Sequence, residues 1–170
     1  GLELFEGSEV EKVVKGADGL KDRYPEYKYL GARFAKFRSV FVIGDGTPSD
    51  EAIKAFGQAL KLDRSKSPLI RARLGFALVA SGQPGNMNRA IEELRVALQA
   101  EPDNFNAYRH LSQAYGLAGD IANAELVMAE GNFRAGNTRE AKVFAARALQ
   151  KLPKGSPGAI RANDILTIGN

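Results

Sequence analysis

Cysteine is absent from this chain of 170 residues. Its absence excludes disulfides, thiolate nucleophiles and cysteine-ligated metals, and it leaves the compartment open because many exported proteins also lack cysteine. Tryptophan is absent as well, and His110 is the one histidine. One imidazole and no thiolate cannot assemble a zinc site, so no metal is expected in this chain. Long hydrophobic runs are missing too. Runs such as Val40 to Ile43 are far shorter than a bilayer span, which argues against direct membrane insertion. No signal peptide is visible and no initiator methionine precedes Gly1, so the chain reads as an excised piece or a processed product. Charge of one sign is nowhere concentrated. The net charge of +4 comes from basic residues interleaved with acids, which reads as solvated surface and not as a nucleic-acid face.

What remains is an ordinary globular composition, 44% apolar and 26% charged, in a chain long enough for one domain with a substantial core. Proline and glycine fall at intervals, and there is no low-complexity tract. Internal repetition is the strongest signal. Gln58-Ala59-Leu60-Lys61-Leu62-Asp63, Val96-Ala97-Leu98-Gln99-Ala100-Glu101-Pro102 and Arg147-Ala148-Leu149-Gln150-Lys151-Leu152-Pro153 each place an Ala-Leu pair before a polar turn. Gly85 and Gly119, Ala90 and Ala124, and Pro68 and Pro102 are each 34 residues apart, which is the tetratricopeptide period. Tyr108, Leu111, Ser112 and Tyr115 follow that repeat's W-x2-L-G-x2-Y pattern, as do Leu74, Gly75 and Leu78 in part. Ala52 with Phe56, and Ala90 with Leu94, follow its A-x3-F part. Small residues such as Gly75, Ser112, Ala90 and Ala124 would let paired helices approach, while Leu111, Tyr115 and Phe56 fill the gaps.

The predicted fold is therefore all-α, a tetratricopeptide-like right-handed α-solenoid of about nine helices in a single domain over 1–170. Helices are expected at 8–22, 25–43, 49–62, 68–81, 87–100, 104–118, 120–135, 138–151 and 157–167. The helices of 1–62 are irregular, the repeats of 67–153 match best, and 156–167 supplies a C-terminal capping helix. Ser8 to Glu11 and Asn137 to Glu140 resemble capping boxes. Ser67-Pro68 and Ser156-Pro157 place a cap before a first-turn proline, and Asp103 and Asp120 are further cap candidates. Val40-Phe41-Val42-Ile43 is β-prone but ends a helical pattern, so no strand is expected. Ala124 and Ala141 are only 17 apart, as are Gly119 and Gly136, so the helix at 120–135 is expected to close one repeat and open the next.

No reactive constellation emerges. Gly44-Asp45-Gly46-Thr47-Pro48-Ser49 lacks the later glycine and the lysine of a phosphate-binding loop, and Pro48 removes an amide, so it reads as a helix-linking turn. Asp45 and Asp50 miss the spacing of a calcium loop. Ser112 lies two residues from His110, on another side of the helix, and does not form a nucleophile–base pair with it. His110 itself reads as packed or solvated. In a helix-pair solenoid the first helix of each pair lines the concave surface. That register places Lys28 and Lys36, Arg73 and Phe76, and Asn106, Arg109 and Gln113 in a protein-binding groove. The groove is basic and partly amide-lined, suited to an extended or acidic peptide segment.

Several stretches carry a more particular likeness: Ser67-Pro68-Leu69-Ile70-Arg71, Ala90 to Arg95, Glu101 to Asn104, Ala114 to Asp120, Leu149 to Pro157, and the tail Arg161 to Leu166. They resemble the C-terminal tetratricopeptide region of bacterial periplasmic Zn-dependent metallopeptidases of the β-barrel assembly-enhancing group. The likeness is best from Ser67 to Ile165, while residues 1 to 50 depart from it. The H-E-x-x-H motif is absent, so no catalytic residue carries over. The resemblance implies a non-catalytic scaffold, periplasmic, with zinc only in a parent peptidase domain. The partners it implies are protein segments, the chain's own peptidase domain or the outer-membrane assembly machinery. A cytoplasmic, free-standing tetratricopeptide adaptor is the alternative, and an RNA-binding repeat is disfavoured because the polar positions are irregular.

Overall fold

A computed structural model describes residues 2–4, 12–14, 20–31, 48–63 and 67–167. The described structure is predominantly helical, with eight α-helices. They are α1 (Leu20–Tyr29), α2 (Asp50–Leu62), α3 (Pro68–Ala80), α4 (Met87–Ala100), α5 (Phe105–Leu117), α6 (Ile121–Arg134), α7 (Thr138–Lys151) and α8 (Pro157–Thr167). A 3-10 turn over Pro84–Asn86 leads into α4. From α2 onward the helices coincide with those expected to within about a residue at each end.

The N-terminal part differs from expectation. Strands β1 (Leu2–Leu4) and β2 (Lys12–Val14) pair antiparallel, with Leu2 opposite Val14 and Leu4 opposite Lys12. The second strand occupies part of the stretch expected as a helix at 8–22. Val13 and Val14 are β-branched, and that stiffness at χ1 favours an extended backbone once a partner strand is available. The Ser8 capping box lies outside the described residues. So do residues 32–43 of the helix expected at 25–43, including Val40 to Ile43; the described part of that region is α1, which carries Pro25 inside it.

Capping is largely local and side-chain based. Ser49 Oγ accepts from the Ala52 N–H at 3.2 Å, Asp120 Oδ1 from the Asn123 N–H at 3.1 Å, and Ser156 Oγ from the Ala159 N–H at 3.2 Å. Three assignments shift, the first being Ser67, which precedes Pro68 at the start of α3 but makes no side-chain cap bond. Asn104, not Asp103, caps α5, accepting from the Ala107 N–H at 3.1 Å. Asn137 stands at the start of α7 without capping it; its amide donates to Asn132 Oδ1 at 3.4 Å.

Each helix from α2 to α8 packs on the next, and two further contacts join α3 to α5 and α6 to α8. One core cluster runs from Ile53 through Leu74, Leu78, Met87 and Leu94 to Leu111 and Val127. A second holds Leu126, Ala129, Ala141, Ala145, Ala148, Ala162 and Ile165. Helix α6 feeds both, Val127 into the first and its neighbour Leu126 into the second, and touches α5, α7 and α8. The alanine content of the second cluster keeps α6, α7 and α8 close, because a methyl group adds little to the helix radius. Ser112 Oγ donates to the Ala124 carbonyl at 2.9 Å and ties α5 to α6. Arg71 and Glu93 form a half-buried ion pair between α3 and α4, at 2.7 Å.

Candidate functional site: a cleft between α3 and α5

Helices α3 and α5 touch, and the small side chains of Ala72 and Ala107 line a cleft beside their contact. The cleft measures about 350 Å³ and is also lined by Leu69, Arg73 and Phe76 from α3 and by Asn104, Asn106 and His110 from the start of α5. Phe76 and His110 form its inner contact, with ring centroids 4.4 Å apart and planes tilted by 42°. Asn104 is committed to the α5 cap through its oxygen, and its amide nitrogen donates to Glu101 Oε2 at 3.3 Å.

Burial lowers the pKa of His110 below its ordinary 6.5, and the positive charges of Arg109 and Arg73 push it the same way; a side-chain hydrogen bond with Gln113 acts in the opposite sense. The imidazole is therefore neutral at pH 7. The unfolded chain binds the proton more tightly than the folded one. Stability from this residue is thus complete above the unfolded pKa and is lost as the pH falls from there through the folded pKa. The melting temperature is expected to decline between pH 8 and pH 5.5, and His110→Gln is expected to flatten that decline. Equal slopes for the two proteins in a thermal melt series would show that His110 does not carry the effect.

Of the groove residues expected from sequence, Arg73, Phe76 and Asn106 line this one cleft. Arg109 and Gln113 are exposed on α5 beside it and act on it through His110. Lys28 is exposed on α1 and does not line the cleft, and Lys36 lies outside the described residues. Sequence reasoning left Asn104 and His110 out of the groove, reading His110 as packed or solvated. The helical spacing held the signal, since His110 follows Asn106 by four residues and so shares its face. No carboxylate, serine or lysine lines the cleft. A guanidinium, a neutral imidazole and two carboxamides can hold an anionic or amide group. Among the described residues no cluster of three or more His, Cys, Asp or Glu is placed to hold a metal ion, and no helix is long and apolar enough to cross a membrane.

Comparison with known proteins points to the other end of the chain. The family model "Glycolytic: Fructose-bisphosphate aldolase class-I" matches residues 1–66. A probable fructose-bisphosphate aldolase class 1 of Xanthomonas campestris pv. campestris is 47% identical over 60 residues, 35% of this chain and 18% of the relative. The corresponding protein of Xylella fastidiosa is 54% identical over 50 residues, 29% of this chain and 15% of the relative. Fructose-bisphosphate aldolase C-B of Danio rerio is 47% identical over 53 residues, 31% of this chain and 15% of the relative. The chain thus spans less than a fifth of the length of these curated relatives. No solved structure matches it.

These matches overturn the metallopeptidase resemblance. The relatives are named as aldolases, so the periplasmic zinc-peptidase parent, the non-catalytic quality-control scaffold and the free-standing adaptor all fall. The residues that carried the likeness are the ones any stacked helix pair uses: small residues at close approaches, leucines between ridges, and a proline after the turn. They report packing and not ancestry.

Proposed function

We propose that residues 1–66 give the protein an aldolase-related function, in which this segment forms part of a structure that handles fructose bisphosphate, and that the helices from α3 onward are a second module joined to it. The observation that supports this is the 47% identity over 60 residues to a probable fructose-bisphosphate aldolase, confined to the N-terminal third of the chain. A sugar bisphosphate carries its charge at both ends, and its recognition needs cationic side chains. The matched segment contains eight lysines and four arginines among its 66 residues. The test is a backbone NMR titration of the 170-residue chain with fructose 1,6-bisphosphate, read beside an assay for triose phosphate release. Saturable shifts within residues 1–66 are expected. Shifts confined to 67–167, or none, would overturn the reading.

For the helical part we infer a tetratricopeptide-type stack. The 34-residue spacings of Pro68 with Pro102 and Ala90 with Ala124 support it, as does the packing of α3 on α5. A stack keeps α3 and α8 apart, whereas a closed bundle brings them together. Spin labels on the exposed positions Leu69 and Ile160 distinguish the two. A long, narrow distance distribution is expected, and a short one would sink the stack.

A further inference from the structure

On the other side of α5 lies a larger cleft of about 750 Å³. Its floor is α5, which presents Tyr108, Leu111 and Tyr115, and its walls are α4 and α6, the helices that pack on either side of α5. Three guanidinium groups reach it from three helices: Arg95 from α4, Arg134 from the end of α6 and Arg161 from α8. One acid, Glu130, lines it. Glu130 is occupied by Arg161, at 3.2 Å, and Arg161 also lies over the Phe133 ring at 5.9 Å. The ion pair of Arg134 is a long contact, 3.8 Å, to an Asp103 carboxylate that is 86% exposed, a pair that water screens heavily. Arg95 forms no ion pair among the described residues. With Glu130 neutralised by Arg161, two positive charges are left over.

We propose that this cleft is a binding site for the diphosphate group of a small organic molecule, two adjoining phosphates carried at one end of a compact body. Arg95 and Arg134 take the two phosphates, and the tyrosine and leucine floor of α5 takes the body. A guanidinium fork holds a phosphate through two parallel hydrogen bonds, which a lone ammonium cannot do. Tyr108 of the floor and Arg134 of the wall line the cleft together. The site is separate from the α3–α5 cleft, sharing no lining residue with it, and does not depend on the aldolase reading of residues 1–66.

The test is a backbone NMR titration of the 170-residue chain with inorganic pyrophosphate, repeated at low and high salt and with citrate in its place. Saturable shifts are expected on α4, α5 and α6 near Arg95, Tyr115 and Arg134, weakening as salt rises. Arg95→Gln and Arg134→Gln should each raise the dissociation constant by about tenfold or more, the loss of one charge-assisted contact. Arg73→Gln, in the other cleft, should leave these shifts unchanged. Citrate binding as tightly as pyrophosphate would overturn the diphosphate assignment. Unsaturable shifts, or loss of the shifts on Arg73→Gln, would overturn the site. Both glutamine variants replace exposed side chains, and the wild-type titration decides the matter even if one fails to fold.

Discussion

Leu94→Ala is expected to cost about 2–5 kcal/mol of stability, and Gly75→Ala, harmful alone, is expected to restore part of that loss. Leu94 is 1% exposed and sits in the first core cluster, where α3 meets α4. A methyl group at Gly75 would lie 2.5 Å from Leu94 Cγ and 2.9 and 3.3 Å from its two terminal carbons. Gly75→Ala alone gains about 1 kcal/mol in helix propensity. It also overpacks the seam, at about 1–3 kcal/mol. The γ carbon of a buried leucine cannot swing far, so the overpacking wins. Once Leu94 is cut back to alanine, the same methyl enters the space the leucine vacated and its propensity gain is no longer opposed. The double variant should therefore be at least about 1 kcal/mol more stable than the sum of the single losses predicts. Urea unfolding of the four proteins measures this through the midpoints, provided the slopes agree. Additive losses would mean that Gly75 and Leu94 do not share one space.

The helices from α2 to α8 were legible because each carries several independent signals. Apolar residues recur at helical spacing, a cap or proline opens the helix, and a glycine or polar turn closes it. Asp120 with Gly119 is one such boundary, and Ser156 with Pro157 another. The half-period at Ala124 and Ala141 falls on α6 and α7, and α6 contributes to both core clusters. What was not legible involved choices between near-equal neighbours or partners distant in sequence. Asp103 and Asn104 are both good caps, and only the backbone geometry selects Asn104. Lys12 to Val14 become a strand only through Leu2 to Leu4, a pairing that no helical period reveals. In the α3–α5 cleft, Arg73, Phe76 and Asn106 followed from repeat register, whereas His110 depends on the ring of Phe76 from another helix.

The family went wrong for a related reason. Close-packed helix seams constrain residue type by size, so unrelated helical proteins converge on similar stretches. Residues 1 to 50, which broke the pattern, hold most of the segment that matches the aldolases. Irregularity against a repeat was the informative feature, because nothing in helix stacking requires those residues.

Gly131 sets a stricter limit than Gly75. A Cβ there would lie 2.7 Å from Tyr108 Cβ, 2.8 Å from its Cγ and 3.3 Å from Cδ2. Rotating the tyrosine moves the ring, but its Cβ is fixed to the α5 backbone. The added methyl must therefore push α5 and α6 apart. Tyr108 is buried, and the same seam carries the bond from Ser112 to the Ala124 carbonyl, so the shift has no slack to absorb it. Gly131→Ala should lower stability by about 1–3 kcal/mol net of the propensity gain. Tyr108→Ala should fail to rescue it, because alanine keeps the offending Cβ; this is the opposite of the behaviour expected for Gly75 and Leu94. Faster amide exchange on both sides of the seam, near Ser112 and Ala124, should accompany the loss. A Gly131→Ala protein about 1 kcal/mol more stable than the parent is what an unhindered helical glycine would give. That outcome would place α5 and α6 farther apart than the close contact at Tyr108 requires.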